Sequence, residues 1–321
     1  MKRRSVLLAA AASPFSFGTA FAAERTIGWI SPEARETTAP FFNALKAGLQ
    51  SQFAPGGDTV RIHERYVTGG AADYAAAIAE LQELGVSLIV TQGAATPAVI
   101  AAKPRVPVVF GFSGDPIVAG FVQSLARPGG NATGMNFMSL ELNPKRIDLL
   151  RTALPHCRKV ALLSNARHAG EENEIVACQR ALDPTGIQLS VHRAQGPADI
   201  QAGVGAALDS GAQALVVLPS SSMVQRAPAI VAQCLERKVP VVSGWASIAR
   251  AGALLTYGPN LTEAYKRIAH HIARVLAGMP PSSLPVEQPS SLELAVNLKT
   301  AAALGLKLPQ TLLAQADEII E

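Results

Sequence analysis

Charge is scarce in this 321-residue chain: Asp, Glu, Lys and Arg together make up 16% of it, and aromatic residues only 5%. So little charge gives no basic stripe for coating a nucleic acid and no solvated polyampholyte. Cysteine is scarcer still, with three residues, Cys157, Cys178 and Cys234. An odd number cannot close into a full disulfide framework, and the helical setting of Cys178 and Cys234 reads as small buried hydrophobes. No apolar run approaches the roughly 20 residues a bilayer crossing needs. No G-x-x-x-x-G-K-[ST] or G-x-G-x-x-G fingerprint occurs, and Gly203-Val204-Gly205 sits in a helical pattern without a third glycine. His270 and His271 are neighbours, so on a helix they diverge by about 100° and cannot chelate one ion as an i,i+4 pair does. These absences leave no cofactor and no metal to assign.

Nucleophilic catalysis is missing in the same way. Gly111-Phe112-Ser113 is followed at once by Gly114 and Asp115, so the second glycine is misplaced for a G-x-S-x-G elbow. None of the six histidines stands in a recognisable strand-end context. The expectation is a site that binds without chemistry.

What is present begins with an export signal over residues 1–22. Lys2, Arg3 and Arg4 precede a short apolar stretch, 6–12, and Ala20-Phe21-Ala22 is an A-x-A cleavage pattern. Removing it takes the formal charge from +4 to about +1. No cysteine follows the cleavage point, so a free, soluble periplasmic protein is expected rather than a lipid-anchored one, with secretion in unfolded form and twin-arginine export both open.

Beyond that point two periods alternate. Strand patterns fall at 26–30, 60–66, 88–91 and 108–112, with helix patterns at 41–52, 74–84 and 97–102 between them. After Gly134 the order repeats, with strands at 160–163, 188–192, 214–218, 241–242 and 253–257 and helices at 144–153, 171–182, 198–208 and 227–237. Strand then helix with short connections predicts an α/β fold of two doubly wound parallel-sheet, Rossmann-like lobes. Crossings are expected at Gly129-Gly130-Asn131 running into Gly134–Met138, at Tyr257-Gly258-Pro259-Asn260 ahead of a helix at 262–276, and in the Pro/Ser-rich span 280–291. This divides the chain into lobe 1, residues 23–137 plus 259–289, and lobe 2, residues 138–258 plus 290–321, joined by a multi-strand hinge.

Open α/β sheets hold ligands at the carboxyl ends of their strands. Two such ends read VTQGAATP (90–97) and VFGFSGDP (109–116). In each, a small-residue loop meets Thr-Pro or Asp-Pro, the chemistry of a helix N-cap with proline at the first helical position. Gln92, Gly93, Ala94, Thr96, Ser113 and Asp115 are therefore candidate ligand contacts, although Asp115 reads equally as a cap alone. Ser31 ends the first strand. Asn165 and Ser220 end strands of the second lobe. Trp245 stands after a strand where it either stacks on a ligand or packs, and Tyr257 either lines the cleft or braces a crossing.

Longer blocks carry a resemblance. SLARPGGNATG (124–134), YGPNL (257–261), LPVEQPSSLELAVNLKTAAALGLKLP (284–309) and ADEIIE (316–321), with IGWISPE and VVFGFSGDPIVAGFV, resemble the tryptophan/tyrosine-type ABC-transporter substrate-binding proteins over essentially the whole mature chain. The resemblance implies a type I periplasmic binding protein. Such a protein is a monomer that captures a small polar metabolite, delivers it to an inner-membrane permease with its ATPase, and has no nucleic-acid partner. It implies a pocket role for Ser113 and Asp115. Two departures stand out. Asn165-Ala166-Arg167-His168 replaces the usual N-P, and Leu218-Pro219-Ser220-Ser221 lacks the acidic residue of LPD, which counts against an ammonium-bearing ligand. An exported sensor for a receptor kinase or chemoreceptor, and a hydrolytic α/β enzyme, are the rival readings.

Overall fold

The computed structural model describes residues 24–53, 59–196 and 198–321; the export signal assigned to residues 1–22 lies outside the described residues. The first half forms β1 (Glu24–Ser31), α1 (Arg35–Gln52), β2 (Thr59–Tyr66), α2 (Ala71–Glu83), β3 (Ile89–Gln92), α3 (Ala95–Ala101), β4 (Val108–Phe112) and β5 (Ala132–Asn136). Its sheet runs β2-β1-β3-β4-β5, all parallel. Strands β3, β4 and β5 are buried throughout, as a sheet wrapped on both faces requires.

The second half forms α4 (Ser139–Ala153), β6 (Lys159–Asn165), α5 (Glu171–Leu182), β7 (Gln188–Ala194), α6 (Ile200–Asp209), β8 (Ala214–Val217), α7 (Ser221–Glu236), β9 (Val241–Ser243), α8 (Ala246–Arg250) and β10 (Leu255–Pro259). Then come α9 (Leu261–Leu276), β11 (Leu292–Asn297), α10 (Leu298–Ala303), α11 (Gln310–Leu313) and β12 (Glu318–Ile320). The second sheet runs β12-β11-β10-β9-β8-β6-β7. Its parallel part, β7-β6-β8-β9-β10, repeats the strand order of the first sheet. The tail adds β11 antiparallel to β10, and β12 parallel to β11, so this sheet is mixed rather than purely parallel.

Helix α9 follows the second lobe in sequence but belongs to the core of the first. Leu261, Ala264, Tyr265, Ile268, Ala269, Ile272 and Val275 recur at three- and four-residue steps and are all buried, so one stripe of the helix is apolar. That stripe packs with Phe42, Leu45 and Leu49 of α1 over Ile27 and Trp29 of β1. Gly48 allows the close approach, since a Cβ there would lie 2.6 Å from the Lys266 carbonyl oxygen. The cysteines are free and buried, Cys178 and Cys234 at 0% exposure.

Several local expectations need correction. Three helices expected to begin at 41, 144 and 227 begin earlier: α1, α4 and α7 start at 35, 139 and 221 and carry Pro40, Pro144 and Pro228 inside. Each proline forfeits one ladder bond, and tertiary packing of the flanking turns outweighs that loss. The first crossing, expected at Gly134–Met138, is in its first half the strand β5. The helix pattern after Asp115-Pro116 is a series of turns. Asp115 Oδ1 accepts from the Ile117 and Val118 amides at 2.8 and 3.1 Å, a local turn without a helix to cap. Thr96 is not an N-cap either: α3 begins at Ala95 behind Ala94, and Thr96 is its second residue.

Candidate functional site

Each sheet has the strand order 2-1-3-4-5, which places a switch point where its first strand meets its third. In the first lobe that point is the end of β1 beside β3, which delivers Ser31, Glu33, Gln92 and Gly93. In the second it is the end of β6 beside β8, which delivers Asn165 and the Ser220–Ser222 run. The two switch points face each other. The Ala94 amide donates to Ser221 Oγ at 3.3 Å, and the Asp115 amide donates to the Ala169 carbonyl at 3.0 Å. Gly93, at φ +51°, leaves no room for a side chain between the lobes: a Cβ there would stand 2.2 Å from Ser221 Oγ.

Two adjoining cavities occupy the interface. The larger, about 430 Å³, is bounded by Pro32, Tyr74, Gly93, Ala94 and Phe112 on one side and by Asn165, Arg167, His168, Ser220 and Gln225 on the other. The smaller, about 30 Å³, lies deeper, among Glu33, Phe41, Gln92, Phe137, Trp245 and Tyr265. Gly93, Ser113 and Ser221 are in the walls of both. A third space of about 110 Å³ lies beyond Ser113, against Asp115 and Glu174.

The polar groups of the deep cavity form one network. Gln92 Nε2 donates to Ser31 Oγ at 3.0 Å and reaches Glu33 Oε2 at 3.5 Å, while the Tyr265 hydroxyl donates to Gln92 Oε1. Glu33 is 5% exposed. Burial pushes its carboxyl up to about 7, against a smaller opposing effect of the Ser221 hydroxyl bonded to it. Burial, helped by the nearby Glu33 charge, also raises the Tyr265 hydroxyl well above its ordinary value.

A second network crosses the cleft. Ser113 Oγ, at the end of β4, lies 2.9 Å from His168 Nε2, and His168 Nδ1 lies 3.2 Å from Glu174 Oε1 on α5. Serine, histidine and glutamate occur here in the hydrogen-bond order of a nucleophilic triad. Serine belongs to one lobe and the other two residues to the second, so the chain of bonds exists only while the lobes are together. It is a clasp on closure.

Of the residues singled out from sequence, Gly93, Ala94, Ser113, Asn165 and Ser220 border the larger cavity, and Gln92 and Trp245 border the deep one. Ser31 acts behind Gln92, fully buried. Ser220 caps α7, accepting from the Met223 amide at 3.4 Å, and Asn165 Nδ2 donates to Ser222 Oγ at 3.1 Å. Thr96 is buried inside α3, and Asp115 borders the third space. Tyr257 lies in β10, packed on the core of the second lobe, where its carbonyl accepts from Arg146 Nε at 2.8 Å. Glu33, His168 and Tyr265 were missed. Glu33 stands two residues past its strand, His168 three past its own, and Tyr265 comes from a helix far along the chain, so strand-end logic alone does not reach them.

Comparison with known proteins gives a consistent result. The sequence model of a family described as ABC transporter substrate binding protein matches residues 37–320. A tyrosine-binding protein of Clostridioides difficile (strain R20291) is 21% identical over 208 residues, 64% of this chain. The match spans 59% of that relative's length. Among solved structures, the ABC domain in complex with L-Trp from Streptococcus pneumonia superposes with a TM-score of 0.84 at 20% identity, over 93% of this chain and 100% of that one. A conserved domain protein from Vibrio cholerae O1 biovar El Tor gives 0.83 at 21% identity, over 92% and 99%. A ligand-free, open substrate-binding protein with adhesive properties from Clostridium difficile gives 0.68 at 18% identity, over 92% and 99%. The two-lobed architecture is that of type I periplasmic binding proteins. Among the described residues no helix is long and apolar enough to cross a membrane.

Proposed function

This chain belongs to the family of ABC transporter substrate-binding proteins, solute binders rather than enzymes, and from that premise we propose that it is exported to the periplasm, captures a small polar metabolite between its lobes and delivers it to a membrane permease. The observation that carries the reading is the cavity of about 430 Å³ at the facing switch points, walled by both lobes. A ligand there touches Ser113 and the loop at Gly93-Ala94 from one side and Asn165 and Ser220 from the other, so it binds the closed form better than the open one. Differential affinity of that kind is what shifts an open–closed equilibrium. Closure also removes water and strengthens each polar contact.

The proposal keeps the division into lobes at 137/138, 258/259 and 289/290, and a monomer as the working unit. The amino-acid ligands named for the similar proteins make an amino acid or a related small molecule the first choice. We expect micromolar affinity or tighter, about 8 kcal/mol or more. Native mass spectrometry of protein purified from its host, followed by a thermal-shift screen of amino acids and other metabolites, tests this. A recovered, unchanged ligand that raises the melting temperature supports the reading. A bound compound that the protein converts into product overturns it.

A further inference from the structure

The deep cavity has a composition unlike the rest of the cleft. Glu33 supplies its one carboxylate, and no Lys, Arg or His borders it. Four aromatic rings stand in its walls: Phe41 stacks on Tyr265 with centroids 5.2 Å apart, and Phe137 meets Trp245 edge-on at 6.4 Å. The volume, about 30 Å³, suits one or two groups the size of a water molecule and excludes a ring. A buried carboxylate set among aromatic rings in a space of that size is the chemistry that selects a cationic nitrogen.

The second lobe meets the same point without a charge of its own. In Leu218-Pro219-Ser220-Ser221 there is no carboxylate, and Ser221 instead bonds Glu33 from across the cleft. The negative charge at the junction therefore comes from the first lobe. Gly93, Ser113 and Ser221 are shared by both cavities, so a group seated beside Glu33 is continuous with a body in the larger space.

We propose that Glu33 is the specificity-determining residue of the cleft, and that the deep cavity takes the ammonium end of a small organic amine whose body fills the larger cavity. The inference rests on the solute-binding reading and adds the charge of the ligand to it. The Glu33 carboxyl must be ionised to hold an ammonium, so affinity rises as pH rises through about 7. The titratable groups facing it are Tyr74 of α2 and Tyr265 of α9, both held neutral in this range by burial and by Glu33 itself.

Calorimetric titration with L-tyrosine, tyramine and 4-hydroxyphenylpropionate, which share a ring and differ in amine and carboxylate, tests the assignment on the wild-type protein. The two amines are expected to bind and the deaminated acid to fail. Below pH 7 the affinity of the amines should fall by about tenfold per unit, as loss of one ionised partner requires. Glu33→Gln should weaken them by roughly thirtyfold or more and flatten the pH profile, while Glu33→Asp keeps the ranking of the three. Equal binding of the deaminated acid, or an unchanged Glu33→Gln protein, overturns the proposal. If none of the three binds, the compound recovered from host-purified protein decides: an amine supports the proposal, and a molecule without one overturns it while leaving solute binding intact. A protein that yields no compound and that no metabolite stabilises overturns both readings.

Discussion

Glu33 illustrates how much one position can do when it is buried at a boundary. In the unliganded protein its carboxyl is raised from 4.5 to about 7, so the folded state holds a proton that the unfolded chain releases. The stability from this group is complete below pH 4.5 and is lost as pH rises through 7, on the order of 3 kcal/mol in all. Melting temperatures of the ligand-free protein should therefore decline between pH 5 and 8, and Glu33→Gln should remove that slope. Gly93 offers a second test. Alanine there adds a Cβ close to Ser221 Oγ, at a φ that alanine adopts poorly. Gly93→Ala should weaken ligand binding by about tenfold or more, roughly 1.4 kcal/mol, with part recovered by adding Ser221→Gly; isothermal titration with the host-derived ligand reads both. The sequence already marked Gln92, Gly93, Ser113 and Asn165, because small or polar residues after an apolar strand can be recognised locally. Glu33 and His168 were not marked, because only the meeting of the two lobes gives them partners.

At the scale of elements, the alternation of strand and helix was legible for most of the chain as far as α9, and the starts of three helices slipped for one physical reason. Proline reads as a helix start because its missing amide costs nothing there. In α1, α4 and α7 it sits further in, where the burial of Phe42, Leu150 and Met223 on the same helices outweighs a lost bond. β5 was hidden for a different reason: ATGMN has little β-branched character, and its place is set by pairing with β4. Gly134 permits that pairing, since a Cβ there would meet the Phe110 carbonyl oxygen at 2.0 Å. The α1–α9 contact gives the prediction at this scale. Gly48→Ala drives a Cβ into the Lys266 backbone, and overpacking of that kind costs about 1–3 kcal/mol. Urea denaturation should show a lower midpoint with an unchanged slope.

Across the whole molecule, the Ser113–His168–Glu174 clasp ties the lobes directly. His168→Ala removes its central member and should shift the population toward the open form. Small-angle scattering of the ligand-free variant should give a larger radius of gyration than the wild type, and an unchanged radius would remove the clasp from the account. The two-lobed plan was readable from sequence because the succession of strand and helix in the first half begins again after Gly134. The facing of the switch points was not, because no local pattern records which edge of a sheet meets which. The path of the chain has a further consequence. Helix α9 closes the core of one lobe only at residues 261–276, and the sheet of the other lobe gains its last strand only at Glu318–Ile320. Until α9 is in place the first lobe lacks one wall of its core, and contacts so distant in sequence form slowly.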